Sequence, residues 1–162
     1  MSEITLKGKE TAFGSFTIER VYDAELERVY TAWTDPEIKA RWFVGPSDKW
    51  KLHHREDNFV VGGGEILAGE FPGIFRSRYV SRYHLIQPNV RVVYDYEMVI
   101  DDIFHSVSLA TMQLDAVDAG TRLTYTEQIT FVDGTDGEKG TKQRRNGVGL
   151  HLGQLADELA RM

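Results

Sequence analysis

Apolar and polar residues alternate along Phe16-Thr17-Ile18-Glu19-Arg20-Val21-Tyr22, the period expected of a half-buried strand. In the segment that follows, Leu26, Val29, Tyr30 and Trp33 recur at helical spacing, so the strand runs into an amphipathic helix. Thr34-Asp35-Pro36-Glu37 starts a second, short helix ending near Trp42: Asp35 can accept from free amides, and Pro36 falls where its missing donor costs nothing. From Trp50 onward period two dominates, which predicts strands at about 50–56, 58–68, 74–86, 90–100, 103–116 and 121–132. Gly62-Gly63-Gly64 permits a bulge or sharp bend, Gln87-Pro88-Asn89 separates two alternating runs, and Asp118-Ala119-Gly120 suits a hairpin. The last 25 or so residues form the longest helix, in which Val148, Leu152, Leu155, Ala156 and Leu159 share one stripe.

Alternation also assigns faces. Arg76, Arg78, Arg82 and His84 lie on the water side of their strand, leaving Ser77, Tyr79, Ser81 and Tyr83 inward. By the same rule Val92, Tyr94, Tyr96 and Met98 point inward, as do Ser108, Ala110, Met112 and Leu114, and Leu123, Tyr125, Glu127 and Ile129. The inner face is apolar but studded with hydroxyls. In the last helix Gly147, Gly149 and Gly153 each cost up to about 1 kcal/mol of helix propensity, so their presence predicts close backbone approach or local flexibility there. Leu150 points away from the stripe and is a candidate homodimer contact.

Length and charge narrow the classes of function. A chain of 162 residues without internal repeats or a Pro/Gly/Ser-rich linker reads as a single domain over 1–162, with 1–13 as a loose leader. A net charge of −6 repels a phosphate backbone, so nucleic acid is not expected as a partner. No stretch approaches the roughly 20 apolar residues of a bilayer span and the first ten residues lack the core of a secretory signal, so a cytoplasmic protein without a membrane partner is expected. With no cysteine, thiol catalysis and thiolate-bound zinc are excluded.

Motifs for hydrolase, metalloprotease or phosphate-loop chemistry are missing from the sequence. The run from Gly147 to Gly153 has the wrong last spacing for a dinucleotide fingerprint and does not lie between a strand and a helix start. His53 and His54, adjacent on a strand, point to opposite faces and cannot share a metal without distortion. Asp133 and Asp136 lack the spacing of a calcium loop and read as a turn with a helix cap. Neither a metal nor a cofactor is therefore expected.

Particular residues carry a family resemblance. The run Glu19-Arg20-Val21-Tyr22, then Val29 to Glu37 and Arg41 to Pro46, resembles the opening of proteins similar to the C-terminal domain of heat-shock protein 90 ATPase activators, within the SRPBCC or START-like superfamily. Val61 to Gly64, the Pro88 to Tyr96 strand, Gly120 to Thr124 and Thr126-Glu127-Gln128 with Phe131, Asp133 and Gly134 extend the match over roughly 14 to 160. The resemblance implies an α+β helix-grip (START-like) fold: a curved antiparallel sheet of about seven strands around a long C-terminal helix, with two short helices after the first strand. It also implies an internal hydrophobic cavity. Asn58 and Val60 stand where the family often has Asp and Arg, and the last helix is glycine-rich where the family often has a Trp, so the pocket here is expected to differ in width and polarity.

Placed on that frame, Trp42, Tyr79, Tyr83, Tyr94, Tyr96, Met98, Met112, Tyr125, Glu127, Val148, His151 and Leu152 are the candidate ligand-binding residues. Aromatic walls suit flat apolar ligands, with phenolic hydroxyls to orient them. Glu127 on the inner face and His151 beside the helix stripe are the candidate catalytic residues, because a carboxylate and an imidazole in an apolar pocket can exchange a proton. The competing role for Glu127 is a pair with Arg144 or Arg145 that orients the helix. Three functions follow: a binder of an apolar, aromatic or lipid-like small molecule; a cofactor-free cyclase-like or hydrolase-like enzyme using Glu127 and His151; and a chaperone ATPase-activating module with a chaperone partner.

Overall fold

The computed structural model describes residues 3–162. Its elements are β1 (Ala12–Tyr22), α1 (Leu26–Thr34), α2 (Pro36–Trp42), β2 (Lys51–Asp57), β3 (Glu65–Phe71), β4 (Phe75–Gln87), β5 (Arg91–Ile100), β6 (Ile103–Val117), β7 (Gly120–Phe131) and α3 (Gly137–Arg161). The strands make one sheet in the order β1-β7-β6-β5-β4-β3-β2, every neighbouring pair antiparallel. From β2 to β7 each strand pairs with the next, and β1 pairs with β7, which leaves β1 and β2 at the two edges. The curved sheet holds α3 against its concave face, the helix-grip arrangement.

The inward alternation predicts the core. Tyr79, Tyr83, Val92, Tyr94, Tyr96, Ala110, Met112, Leu114, Leu123, Tyr125 and Ile129 are all buried, and Leu152, Leu155 and Leu159 of α3 meet them. Each buried aromatic removes a large apolar area from water, the dominant favourable term in folding. Local chemistry sets the helix starts. Asp35 Oδ1 accepts from the amides of Glu37 and Ile38 with Pro36 in the first turn of α2, and Asp136 Oδ2 accepts from the Lys139 amide at the head of α3. Tyr22 and Arg28 then tie the end of β1 and α1 to α3 by donating to the carbonyls of Leu152 and Leu159, at 2.9 and 2.6 Å.

Two segments depart from the sequence expectation. Residues 58–64, expected as the start of a strand, form a loop in which Gly62 takes a φ of +86°. There the Gly62 amide donates to the Tyr83 carbonyl and the Tyr83 amide to the Gly63 carbonyl, both at 2.9 Å. A Cβ on Gly64 would lie 1.8 Å from the Ser81 carbonyl oxygen, so only glycine lets the loop run this close to β4. The N-terminal segment is also tied down. Thr5 bridges Ile103 and exchanges backbone hydrogen bonds with Asp102 and Phe104, while Ala12 and Phe13, expected in the leader, open β1. The first two residues of the leader lie outside the described residues.

Candidate functional site: a cavity under the terminal helix

Between α3 and the β3–β5 part of the sheet lies a cavity of about 350 Å³. Its sheet wall is Leu67, Ser77, Tyr79, Tyr96, Met98 and Ile100, and its helix wall is Arg144, Gly147, Val148 and His151. The mouth is framed by the segment Phe43–Pro46 after α2, by Trp50, and by Phe71 and Phe75 at the two ends of the β3–β4 turn. Leu150 also reaches the mouth, 65% exposed. The lining is predominantly apolar with a few convergent polar groups, the usual make-up of a small-molecule site.

Gly147 explains part of the free volume. A Cβ built on it would meet nothing within 4 Å, so this glycine leaves space over the sheet instead of serving a close approach. Gly153 likewise faces open space, while Gly149 lies beside Arg20. Gly140, about two turns earlier in the same helix, is the opposite case: a Cβ there would come within 2.8 Å of the Phe131 ring.

At one end of the cavity a polar cluster fixes α3 to the sheet. Glu127 on β7 is 0% exposed; its Oε2 accepts from Tyr96, Ser108 and Arg144 at 2.6, 2.6 and 2.9 Å, and its Oε1 accepts from Tyr125 at 2.6 Å. Arg144 also donates to Ser106 Oγ at 2.8 Å and lies over the rings of Tyr96 and Phe131. Burial penalises the guanidinium, but the adjoining Tyr96 and Glu127 more than offset it, so its pKa is raised and Arg144 stays charged. The phenols of Tyr79, Tyr94, Tyr96 and Tyr125 are pushed up by burial and remain neutral donors.

A second buried cluster sits behind Phe43. Lys39 and Arg55 grip the two oxygens of Glu65 at 2.8 and 2.7 Å, and Tyr83 donates to Asp57 at 2.9 Å. Burial, then the Glu65 charge, raises the Asp57 pKa. The Lys39 ammonium lies 4.9 Å from the centre of the Phe43 ring, and Arg55 donates to the Phe43 carbonyl. Paired in this way, the cluster carries α2 and the following segment to the sheet and so sets the position of the mouth.

His151 packs edge-on against Phe43, ring centres 4.9 Å apart, and burial drives its imidazole pKa down to about 4, so it is neutral at pH 7. Glu127 and His151 are not brought together. Glu127 faces Arg144, and His151 stands seven residues further along α3, about 10 Å of helix rise. Among the described residues no hydrogen bond joins the two.

Of the residues singled out in the sequence, Tyr79, Tyr96, Met98, Val148 and His151 line the cavity. The others lie elsewhere, for identifiable reasons. Trp42 donates its indole N–H to the Ala32 carbonyl and packs on Trp33; Tyr83 is spent on Asp57; Leu152 and Met112 fill the core. Tyr94 meets Tyr83 edge-on and stacks on Tyr96, and Tyr125 and Glu127 belong to the polar cluster. The Phe43–Pro46 segment, Trp50, Phe71 and Phe75 were not anticipated. Two aromatics flanking Pro72-Gly73 at a hairpin were the available signal, since a turn seldom keeps large apolar residues on both sides without something to cover. His53 and His54 each contact a different carboxylate, Glu70 and Glu56.

Comparison with known proteins agrees with this architecture. Residues 23–160 match the family described as Activator of Hsp90 ATPase homolog 1-like protein. The chain belongs to this family. A protein from Rhizobium leguminosarum is similar at 31% identity over 94% of this chain and 98% of that one, with a TM-score of 0.86. A Rhizobium loti protein is 36% identical over 92% and 99% of the two chains, with a TM-score of 0.81. An AHSA1-like protein from Aeromonas hydrophila, 21% identical over 91% and 93%, shares the fold with a TM-score of 0.68. Among curated proteins none matches the chain. No helix among the described residues is long and apolar enough to cross a membrane.

Proposed function

We propose that this member of the Activator of Hsp90 ATPase homolog 1-like family is a small-molecule-binding protein whose ligand, apolar and aromatic in character, occupies the cavity beneath α3. The observation that carries the reading is the unfilled volume itself. Well-packed interiors leave few voids larger than a water molecule, whereas here about 350 Å³ lies between the helix and sheet, walled by Tyr79, Tyr96, Met98 and Val148. An apolar cavity of about 150 Å³ holds one benzene ring, so roughly twice that volume suits a compound of two rings.

The enzymatic alternative with Glu127 and His151 as a proton-transfer pair is the weaker reading. Both Glu127 oxygens are already engaged, one by Tyr125 and the other by Tyr96, Ser108 and Arg144, and His151 stands about two turns of α3 away from them. The family description favours one further reading, activation of a chaperone ATPase. That role needs a docking surface and does not need an unfilled interior.

The test is thermal unfolding of the protein with a panel of uncharged one-, two- and three-ring compounds, beside an Hsp90 ATPase assay. The binding reading expects a rise in Tm with two-ring compounds and no rise in Gly147→Leu, whose side chain enters the cavity. ATPase stimulation that is identical in wild type and Gly147→Leu, with no Tm response to any compound, would establish the chaperone reading instead.

A further inference from the structure

The inner tyrosines differ in one respect. Tyr96 and Tyr125 donate to Glu127, Tyr83 donates to Asp57, and Tyr22 donates to the Leu152 carbonyl. Tyr79 is 7% exposed, yet among the described residues its hydroxyl has no hydrogen-bond partner, and it is not one of the side-chain polar atoms sealed inside the protein. It lines the cavity, so its oxygen opens there. The ring is held by contacts with Phe43 at 5.2 Å and Tyr96 at 4.7 Å between centres, which fixes the direction of the donor before any ligand arrives. A hydroxyl with no protein partner that opens into the cavity is free to donate to a ligand acceptor there, whereas the hydroxyls of Tyr83, Tyr96 and Tyr125 are already committed within the protein.

The charges around the cavity show a complementary pattern. Arg144 is neutralised by Glu127 at 2.9 Å, His105 is paired with Asp133 at 2.6 Å, and Lys39 and Arg55 behind Phe43 share Glu65. His151 has its pKa depressed by burial and is uncharged at pH 7. Among the described residues no unpaired cation on the wall is left to meet an anionic ligand, and a carboxylate entering this lining would lose its hydration without a counter-charge.

We infer that the cavity selects an uncharged two-ring compound bearing a carbonyl-type oxygen, which accepts a hydrogen bond from the Tyr79 hydroxyl. This rests on the binding function proposed above and specifies its ligand class. Tyr79 is the specificity-determining donor, and the paired cations make the site reject carboxylates.

Three probes of matched shape test it by titration calorimetry at pH 7: 2-acetonaphthone, its hydrocarbon isostere 2-isopropenylnaphthalene, and 2-naphthoate. The ketone should bind about tenfold more tightly than the hydrocarbon, as one net hydrogen bond provides, and the carboxylate should bind more weakly than either. Tyr79→Phe should bind ketone and hydrocarbon alike, with hydrocarbon affinity and unfolding midpoint near wild type. Equal binding of ketone and hydrocarbon by the wild type, a ketone preference that survives in Tyr79→Phe, or tighter binding of 2-naphthoate would each overturn the assignment while leaving a binding cavity in place. If none of the three binds, the cavity reading falls together with it.

Discussion

Arg144 of α3 donates to Glu127 of β7 at 2.9 Å, a buried ion pair that joins the terminal helix to the sheet at one end of the cavity. Both ions gave up water to form it, so the net worth of the pair is smaller than its Coulomb energy. The cost of breaking it on one side is large.

Glu127→Gln and Arg144→Met should therefore each lower the unfolding free energy by roughly 3–5 kcal/mol, the penalty of an uncompensated buried charge. The double variant should lose less than the sum of the two. Denaturant unfolding of the four proteins as a double-mutant cycle checks this, and additive losses would show that the two side chains do not act as a pair.

Two glycines of α3 should respond to alanine with opposite signs. At Gly140 the new Cβ would lie 2.6 Å from Thr135 Cγ2 and 2.8 Å from the Phe131 ring, and overpacking of this kind costs about 1–3 kcal/mol. At Gly147 the Cβ enters open space, so Gly147→Ala should gain up to about 1 kcal/mol in helix propensity. Chemical denaturation of both variants is the check.

Acid should weaken the fold through His151. Its pKa falls from 6.5 to about 4 on folding because burial disfavours the imidazolium. The unfolded chain thus takes up a proton at a pH where the folded one does not. The stabilisation is complete above pH 6.5 and is lost as pH falls through about 4, with an upper bound of about 3 kcal/mol. Unfolding free energy measured from pH 7 to 4 should decline in wild type and flatten in His151→Phe. Equal slopes for the two proteins would count against a buried neutral imidazole.

The sheet was legible in the sequence because antiparallel strands with one buried face carry a clean period of two. Arg76, Arg82 and His84 against Tyr79, Ser81 and Tyr83 is such a strand, and its outward and inward residues sort as expected. The start of β3 was not legible: Phe59-Val60-Val61 has the aromatic and β-branched composition of a strand, but Gly62 turns left-handed and the backbone pairs with Tyr83. The site was legible only on the sheet side. Alternation shows that Tyr94 and Tyr96 share a face but not that Tyr94 is packed among other tyrosines while Tyr96 borders a void. The partner of Glu127 depends on the axial placement of α3, a tertiary quantity that helix periodicity alone does not fix, and it selects Arg144 over His151. The mouth comes from the Phe43–Pro46 segment and the Phe71–Phe75 hairpin, irregular pieces whose positions follow from long-range contacts such as Arg55 with the Phe43 carbonyl.

The most direct measurement is the affinity of 2-acetonaphthone across the series wild type, Gly147→Ala, Gly147→Leu and Gly147→Phe, with the unfolding free energy of each. A ligand lodged beneath α3 predicts affinity falling stepwise as the side chain at 147 grows, while stability stays at or above that of wild type up to leucine. Affinity that is indifferent to the side chain at 147, in proteins that remain folded, would contradict a binding site in this cavity.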